Sequence, residues 1–123
     1  MIAERPVTPT LGMTPGQAIG ILERDLGLST KDLQAVLDTT PRNIERWITE
    51  RAHPQTKARQ QLVQLMSFHD QLGDVFTDWD GARAWINAPS RYLGGITLVE
   101  AIRAGRLDRA RAALMALDGG VYI

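Results

Sequence analysis

The chain has 123 residues, 14 of them basic and 14 acidic, a formal net charge of zero and a hydrophobic fraction of 44%. That length holds one domain or two very small ones, with enough apolar side chains for a core of modest stability, so a partner or self-association is expected to help. The balanced charge gives nucleic-acid binding no support from the whole chain; such a site has to come from local clustering. The absence of Cys excludes disulfide scaffolds and thiolate metal sites and points to a reducing cytoplasm. No apolar run reaches membrane-spanning length and Met1–Pro6 lacks the apolar stretch of a secretory signal, so a cytoplasmic protein without membrane contact is expected.

In chain order, residues 1–12 carry Pro6, Pro9 and Gly12 with little apolar periodicity and read as a flexible tail. Thr14-Pro15 starts a helix by cap-plus-proline logic, with Ala18, Ile19, Ile21, Leu22 and Leu26 inside and Gly27 as its stop. Ser29 or Thr30 caps a second helix, with Asp32 in its first turn and Leu33, Val36 and Leu37 on its inner face. Asp38-Thr39-Thr40 is a turn, and Thr40-Pro41 opens a third helix. There Ile44, Trp47 and Ile48 share one face, and Arg42, Asn43 and Arg46 the other. A longer helical pattern runs from about Pro54 to Phe76. Asp80 is expected to cap a short helix holding Ala82, Ala84, Trp85 and Ile86, which ends before Pro89. Leu93–Ile96 is a loop, Thr97 caps a helix that Gly105 stops, and a last helix covers about Leu107 to Leu117. No window alternates at period two long enough for a sheet, so an all-α fold is expected.

The third helix carries the first functional signal. A helix, a three-residue turn and a second helix is a weak pattern alone, but a recognition helix must pack one face and offer polar residues from its first turns. Ile44, Trp47 and Ile48 do the packing. Arg42, Asn43 and Arg46 suit base edges, Arg for guanine and Asn for adenine. Thr39 or Thr40 suits a phosphate at a helix N-terminus whose free N–H groups favour anions, and Thr40 and Arg51 are taken as the phosphate contacts. Between residues 41 and 59, Arg42, Arg46, Arg51, Lys57 and Arg59 face only Glu45 and Glu50, which supplies a salt-sensitive backbone term. The alternative is an amphipathic helix with a solvated charged face. Asp38 and Thr39 stand where such turns often carry Gly and an apolar residue, but Asp tolerates the left-handed conformation.

The second half carries no catalytic constellation. His53 and His69 have no zinc-ligand spacing, His69 reads as a surface or packed residue, and Gly94-Gly95 lacks the Lys-Ser/Thr of a phosphate loop. No enzyme activity and no cofactor are expected. Trp85 reads as core, and Trp79 sits undecided among Asp78, Asp80 and Gly81. Arg91, Arg103, Arg106, Arg109 and Arg111 read as solvated charges.

A series of residues in this half does stand out: Ala84-Trp85-Ile86 with Pro89, Arg91-Tyr92-Leu93, Thr97 to Ile102, Gly105, Ala113 to Leu117, and Gly119-Gly120-Val121-Tyr122-Ile123. It resembles the toxin-binding domain of the Xre/MbcA/ParS antitoxin family, with Thr97 in place of a frequent Pro. The stretch from Asp38 to Trp47 is similar to the DxxPRxxxRW segment in the Xre-like helix-turn-helix of that family. The resemblance spans residues 14–123. It implies a helix-turn-helix domain over 13–76 with a long connecting helix, and a small helical toxin-binding domain over 77–123. It also implies an antitoxin of a type II system whose partner is a RES-domain toxin that degrades NAD. The antitoxin would block the toxin's active site with its C-terminal segment, here Gly119, Gly120, Val121, Tyr122 and Ile123. It would repress its own operon through operator DNA.

Physical chemistry is compatible with that role for the tail. Val121-Tyr122-Ile123 is an apolar end after two glycines, Tyr is a common interface anchor, and a terminal carboxylate suits an anion pocket. The other reading folds Val121 and Tyr122 back on the chain's own core. A homodimer within a larger hetero-oligomer is expected, because paired recognition helices match a palindromic operator. Two further classes stay open: a stand-alone helix-turn-helix transcription regulator, and a protein-binding module without DNA binding.

Overall fold

A computed structural model describes residues 12–120. Among them the fold is all-α, as the periodicities require. The elements are α1 (Pro15–Leu26), α2 (Thr30–Leu37), α3 (Pro41–Ile48), α4 (Thr56–Val75), α5 (Trp79–Ile86), α6 (Leu98–Arg103) and α7 (Leu107–Asp118). The one β-type pairing among these residues is an isolated bridge between Pro89 and Thr97. The expected tail over 1–12 lies outside the described residues except for Gly12.

Helix α4 is the spine. Its 20 residues span about 30 Å, and Leu62, Leu65, Phe68 and Leu72 along it are fully buried. Helices α1, α2, α5 and α7 pack on α4, α3 packs on α1 and α2, and α6 packs on α2 and α7. Helix α4 ends at its C-cap Phe76, and the helices on both sides of it share one core cluster.

Local sequence accounts for most helix ends. Thr14, Ser29 and Thr97 each form a reciprocal capping box with the residue three positions on, Gln17, Asp32 and Glu100. Gly27 ends α1 at φ 68° and Asp38 ends α2 at φ 50°, both left-handed. At α5 the expectation is corrected. Asp78, not Asp80, is the cap: its backbone is extended and its Oδ1 accepts from Gly81 N at 2.7 Å. Asp80 lies two residues further on, within the first turn, and pairs with Arg83.

Ile48 also departs from expectation. It is 47% exposed, whereas Ile44 and Trp47 are buried. The cause is a backbone contact. A Cβ on Gly16 of α1 would stand 2.9 Å from Ile48 Cα and 3.0 Å from its carbonyl oxygen. The last turn of α3 therefore meets α1 with its main chain, which turns the Ile48 side chain outward.

Polar side chains fasten the helices to one another. His69 on α4 is wholly buried, its Nε2 lies 2.8 Å from Asp25 Oδ2 of α1, and its ring stacks on Trp79 of α5 at 4.2 Å. Trp79 thus packs against the core through an imidazole. Burial raises the Asp25 carboxyl, but the bonds from Arg24 and His69 outweigh it, so Asp25 titrates below the ordinary carboxylate value. Arg83 donates to the Arg24 carbonyl at 3.0 Å, covering the C-terminal end of α1. Arginines expected to be solvated are instead engaged. Arg103 of α6 pairs with Asp32 of α2 at 3.2 Å, and Arg111 of α7 donates to the Gln64 carbonyl of α4 at 2.8 Å. Arg106 pairs with Asp108 at the start of α7.

Candidate functional site

The segment from α2 to α3 holds the first set of candidate residues. Ser29 fixes the start of α2 through its box with Asp32. Asp38 then reverses the chain, with Thr39 N donating to the Gln34 carbonyl at 3.1 Å. Thr40 caps α3, its Oγ1 accepting from Asn43 N at 3.2 Å. Asn43 Nδ2 in turn donates to Thr39 Oγ1 at 3.1 Å. The turn and the first residues of α3 are therefore bonded to one another before any partner arrives.

Ile44 and Trp47 pin α3 to the core. Thr40, Arg42, Asn43, Arg46 and Arg51 are all exposed. None of the ion pairs among the described residues involves Arg42, Arg46 or Arg51. Arg42 and Arg46 stand one helical turn apart, with Asn43 between them on the same outer side. Glu50 sits in the left-handed region at φ 61°, and Arg51 N donates to the Arg46 carbonyl at 2.8 Å. This hook keeps Arg51 at the end of α3 instead of letting the helix run on. Arg42, Asn43 and Arg46 thus share the outer side of α3, with Thr40 at its start and Arg51 just past its end, and Glu45 and Glu50 are exposed in the same segment. Thr39 was missed as a positioning group for Asn43; the signal was its spacing of four from Asn43 across the cap.

The second candidate set is at the other end of the sequence. Gly119 and Gly120 close α7, donating to the Met115 and Leu117 carbonyls at 2.9 and 3.1 Å, and Gly120 has φ 83°. Both are exposed. Val121, Tyr122 and Ile123 lie outside the described residues. Among the described residues, no three His, Cys, Asp or Glu side chains converge as metal ligands would, and no helix is long and apolar enough to cross a membrane.

No family model matches the chain. Curated relatives do. The mycobacterial cidal antitoxin MbcA of Mycobacterium bovis is 31% identical over 104 residues, covering 85% of this chain and 90% of that protein. The same values hold for MbcA of Mycobacterium tuberculosis strains CDC 1551 and H37Rv. In a crystal structure of the M. tuberculosis MbcT-MbcA toxin-antitoxin complex, one chain superposes with a TM-score of 0.66 and 29% identity, covering 89% of this chain and 96% of that one. Identity at this level over nearly the full length of the relatives, together with the shared fold, leads to one assignment: this chain belongs to the family of the antitoxin MbcA and is not an enzyme.

Proposed function

We propose that this chain is the antitoxin of a type II system and binds two partners through two separate ends. One partner is a cognate toxin, of the RES-domain, NAD-degrading type. The segment from Gly119 to Ile123 enters its active site and blocks it. The other partner is the operator of its own operon, read by the helix-turn-helix of α2 and α3. On that reading Arg42, Asn43 and Arg46 contact base edges, while Thr40 and Arg51 hold phosphates. The Thr40 hydroxyl accepts from Asn43 N and keeps its own hydrogen for a phosphate oxygen. The chain acts as a homodimer within a larger hetero-oligomer.

The observation that carries the toxin side is kinship with an antitoxin over 85% of the chain. The DNA side is supported by the fixed, exposed and unpaired Arg42–Arg46 ridge, which supplies a local positive field on a chain of zero net charge. Co-expression with the neighbouring gene tests the first part: the two products should co-purify, and the chain should restore growth that the toxin arrests. Growth that stays arrested removes the antitoxin function. An electrophoretic shift with upstream DNA, repeated at several salt concentrations, tests the second.

A further inference from the structure

Helix α1 carries an open groove on the side away from the core. Met13, just before the helix, and Gln17, Gly20, Ile21 and Arg24 along it line a hollow of about 450 Å³. These positions recur at helical spacing, so they share one face. Gly20 forms the floor: a Cβ there would meet nothing within 4 Å. Met13 and Ile21 are half-buried, each with one side on the core and the other on the groove.

An exposed side chain of α3 borders this groove. Ile48 is 47% exposed and follows buried Ile44 by one turn, which sets it off the side that carries Arg42 and Arg46. Its main chain lies against Gly16, where a Cβ would stand 2.9 Å from Ile48 Cα. Gly16 and Gly20 are one turn apart on α1, about 6 Å along the axis. Met13, Ile21 and Ile48 therefore make an apolar patch around a gap, beside α3 but off the side proposed to read bases.

From this placement we infer that the α1 groove and Ile48 form the contact between two copies of this chain on adjoining half-sites of one operator. The inference rests on the operator reading given above and assigns a surface to the homodimer. A contact across a two-fold axis uses the same face twice, so that face must hold both what projects and what receives. Here Ile21 and Ile48 project, and the hollow over Gly20 receives. DNA does not suit the groove, because apolar side chains offer phosphates nothing and Arg24 is already bonded to Asp25 at 3.0 Å. Continuity with α3 favours a second copy over the toxin, which the proposed function places at the other end of the sequence. Size decides when the contact forms. Helix α1 has 12 residues, a length of about 18 Å, and with a width of about 10 Å it presents roughly 200 Å². A stable dimer buries about 800 Å² on each partner. The groove alone cannot hold two free chains together. It closes once each α3 sits in its half-site and the effective concentration reaches the millimolar range. Operator binding is therefore cooperative.

The test uses the full chain and upstream DNA, as a fragment with both half-sites and as one cut to a single half-site, the sites being mapped by footprinting. Wild type should bind the longer fragment with a Hill coefficient of about 2. I48S and I21S should each lower that affinity roughly tenfold and bring the Hill coefficient to about 1, with single-site affinity unchanged. The chain has no Cys, so G20C supplies a lone thiol at the floor of the groove. Under mild oxidation it should cross-link to a second copy on the longer fragment, and not on the single site or without DNA. The Tm of I48S should match wild type because that side chain is already exposed, which keeps the test open if I21S unfolds. Cooperative binding by I48S, with G20C not cross-linked, refutes the contact and leaves the operator reading standing. If wild type binds neither fragment, the operator reading fails and the inference with it. Cross-linking of G20C without DNA shows a standing dimer and overturns the inference, as does a loss confined to toxin binding.

Discussion

Two glycines four residues apart on α1 should respond oppositely to the same change. At Gly20 an added Cβ meets nothing within 4 Å. Gly20→Ala therefore gains helix propensity at no steric cost, about 0.5–1 kcal/mol. At Gly16 the added Cβ would press on Ile48 Cα at 2.9 Å and on its carbonyl oxygen at 3.0 Å, both of them main-chain atoms. Backbone cannot swing aside as a side-chain end can, so α3 must move outward. Overpacking of this kind costs about 1–3 kcal/mol, which the propensity gain offsets only in part. Gly16→Ala should then lose about 1–2 kcal/mol net, leaving the two variants roughly 2 kcal/mol apart. At about 4 °C per kcal/mol for a chain of this size, Gly16→Ala lowers Tm by about 4–8 °C and Gly20→Ala raises it by about 2–4 °C. Thermal unfolding followed by circular dichroism measures both. Operator affinity should fall with Gly16→Ala and hold with Gly20→Ala, because only the former displaces α3. If Gly16→Ala is as stable as Gly20→Ala, the close crossing of α1 and α3 is wrong, and so is the reason given for the exposure of Ile48.

Other outcomes follow from the same structure. Arg46→Ala should weaken operator binding by about 1–3 kcal/mol if its guanidinium reads a base, and unchanged affinity at every salt concentration would remove Arg46 from the interface. Deleting Gly120 to Ile123 should abolish neutralisation while the unfolding curve stays that of the full chain; continued protection of cells carrying the toxin would end the tail-plug reading. Asp25→Asn should cost about 1–3 kcal/mol at pH 7, because the buried His69 and the Arg24 guanidinium lose a charged acceptor. The folded-state value for Asp25 is depressed, so its contribution is present above the unfolded value near pH 4 and is lost as pH falls through the folded one. Wild type should therefore lose stability below about pH 4 more steeply than Asp25→Asn, and parallel acid limbs would contradict the bond network.

What could be read from sequence was what depends on near neighbours. Thr14, Ser29, Thr40 and Thr97 announce helix starts because a cap needs only its own hydroxyl and a backbone N–H three residues on. The Asp38 turn was readable for the same reason, and with it the exposed face of α3. Distant contacts were not. Ile48 keeps perfect helical spacing with Ile44, and only the approach of Gly16 turns it outward. His69 finds its carboxylate 44 residues away and its stacking ring on another helix, so nothing near it in sequence marked it as a joint. Asp78 and Asp80 are equally good caps on paper; Arg83, three residues past Asp80, makes that carboxylate an ion-pair partner instead. The exposure of Tyr92 and Ile96 hid for another reason. It depends on Leu93 being the residue that goes inward.

The Asp25–His69–Trp79 contact, which binds α1, α4 and α5 at one point, bears on how the two ends share free energy. Helix α1 packs on both α3 and α5, so separating it from either strains the helix that carries Asp25. A ligand that binds only the folded chain stabilises it by RT ln(1 + [L]/Kd), about 2.7 kcal/mol at a hundredfold excess over Kd. Where the chain unfolds as one unit, that stabilisation is not confined to the end that is occupied. On the proposed reading, a partner held at the far end of α7 would stabilise α3 without touching it, and DNA held by α3 would stabilise α7 in the same way.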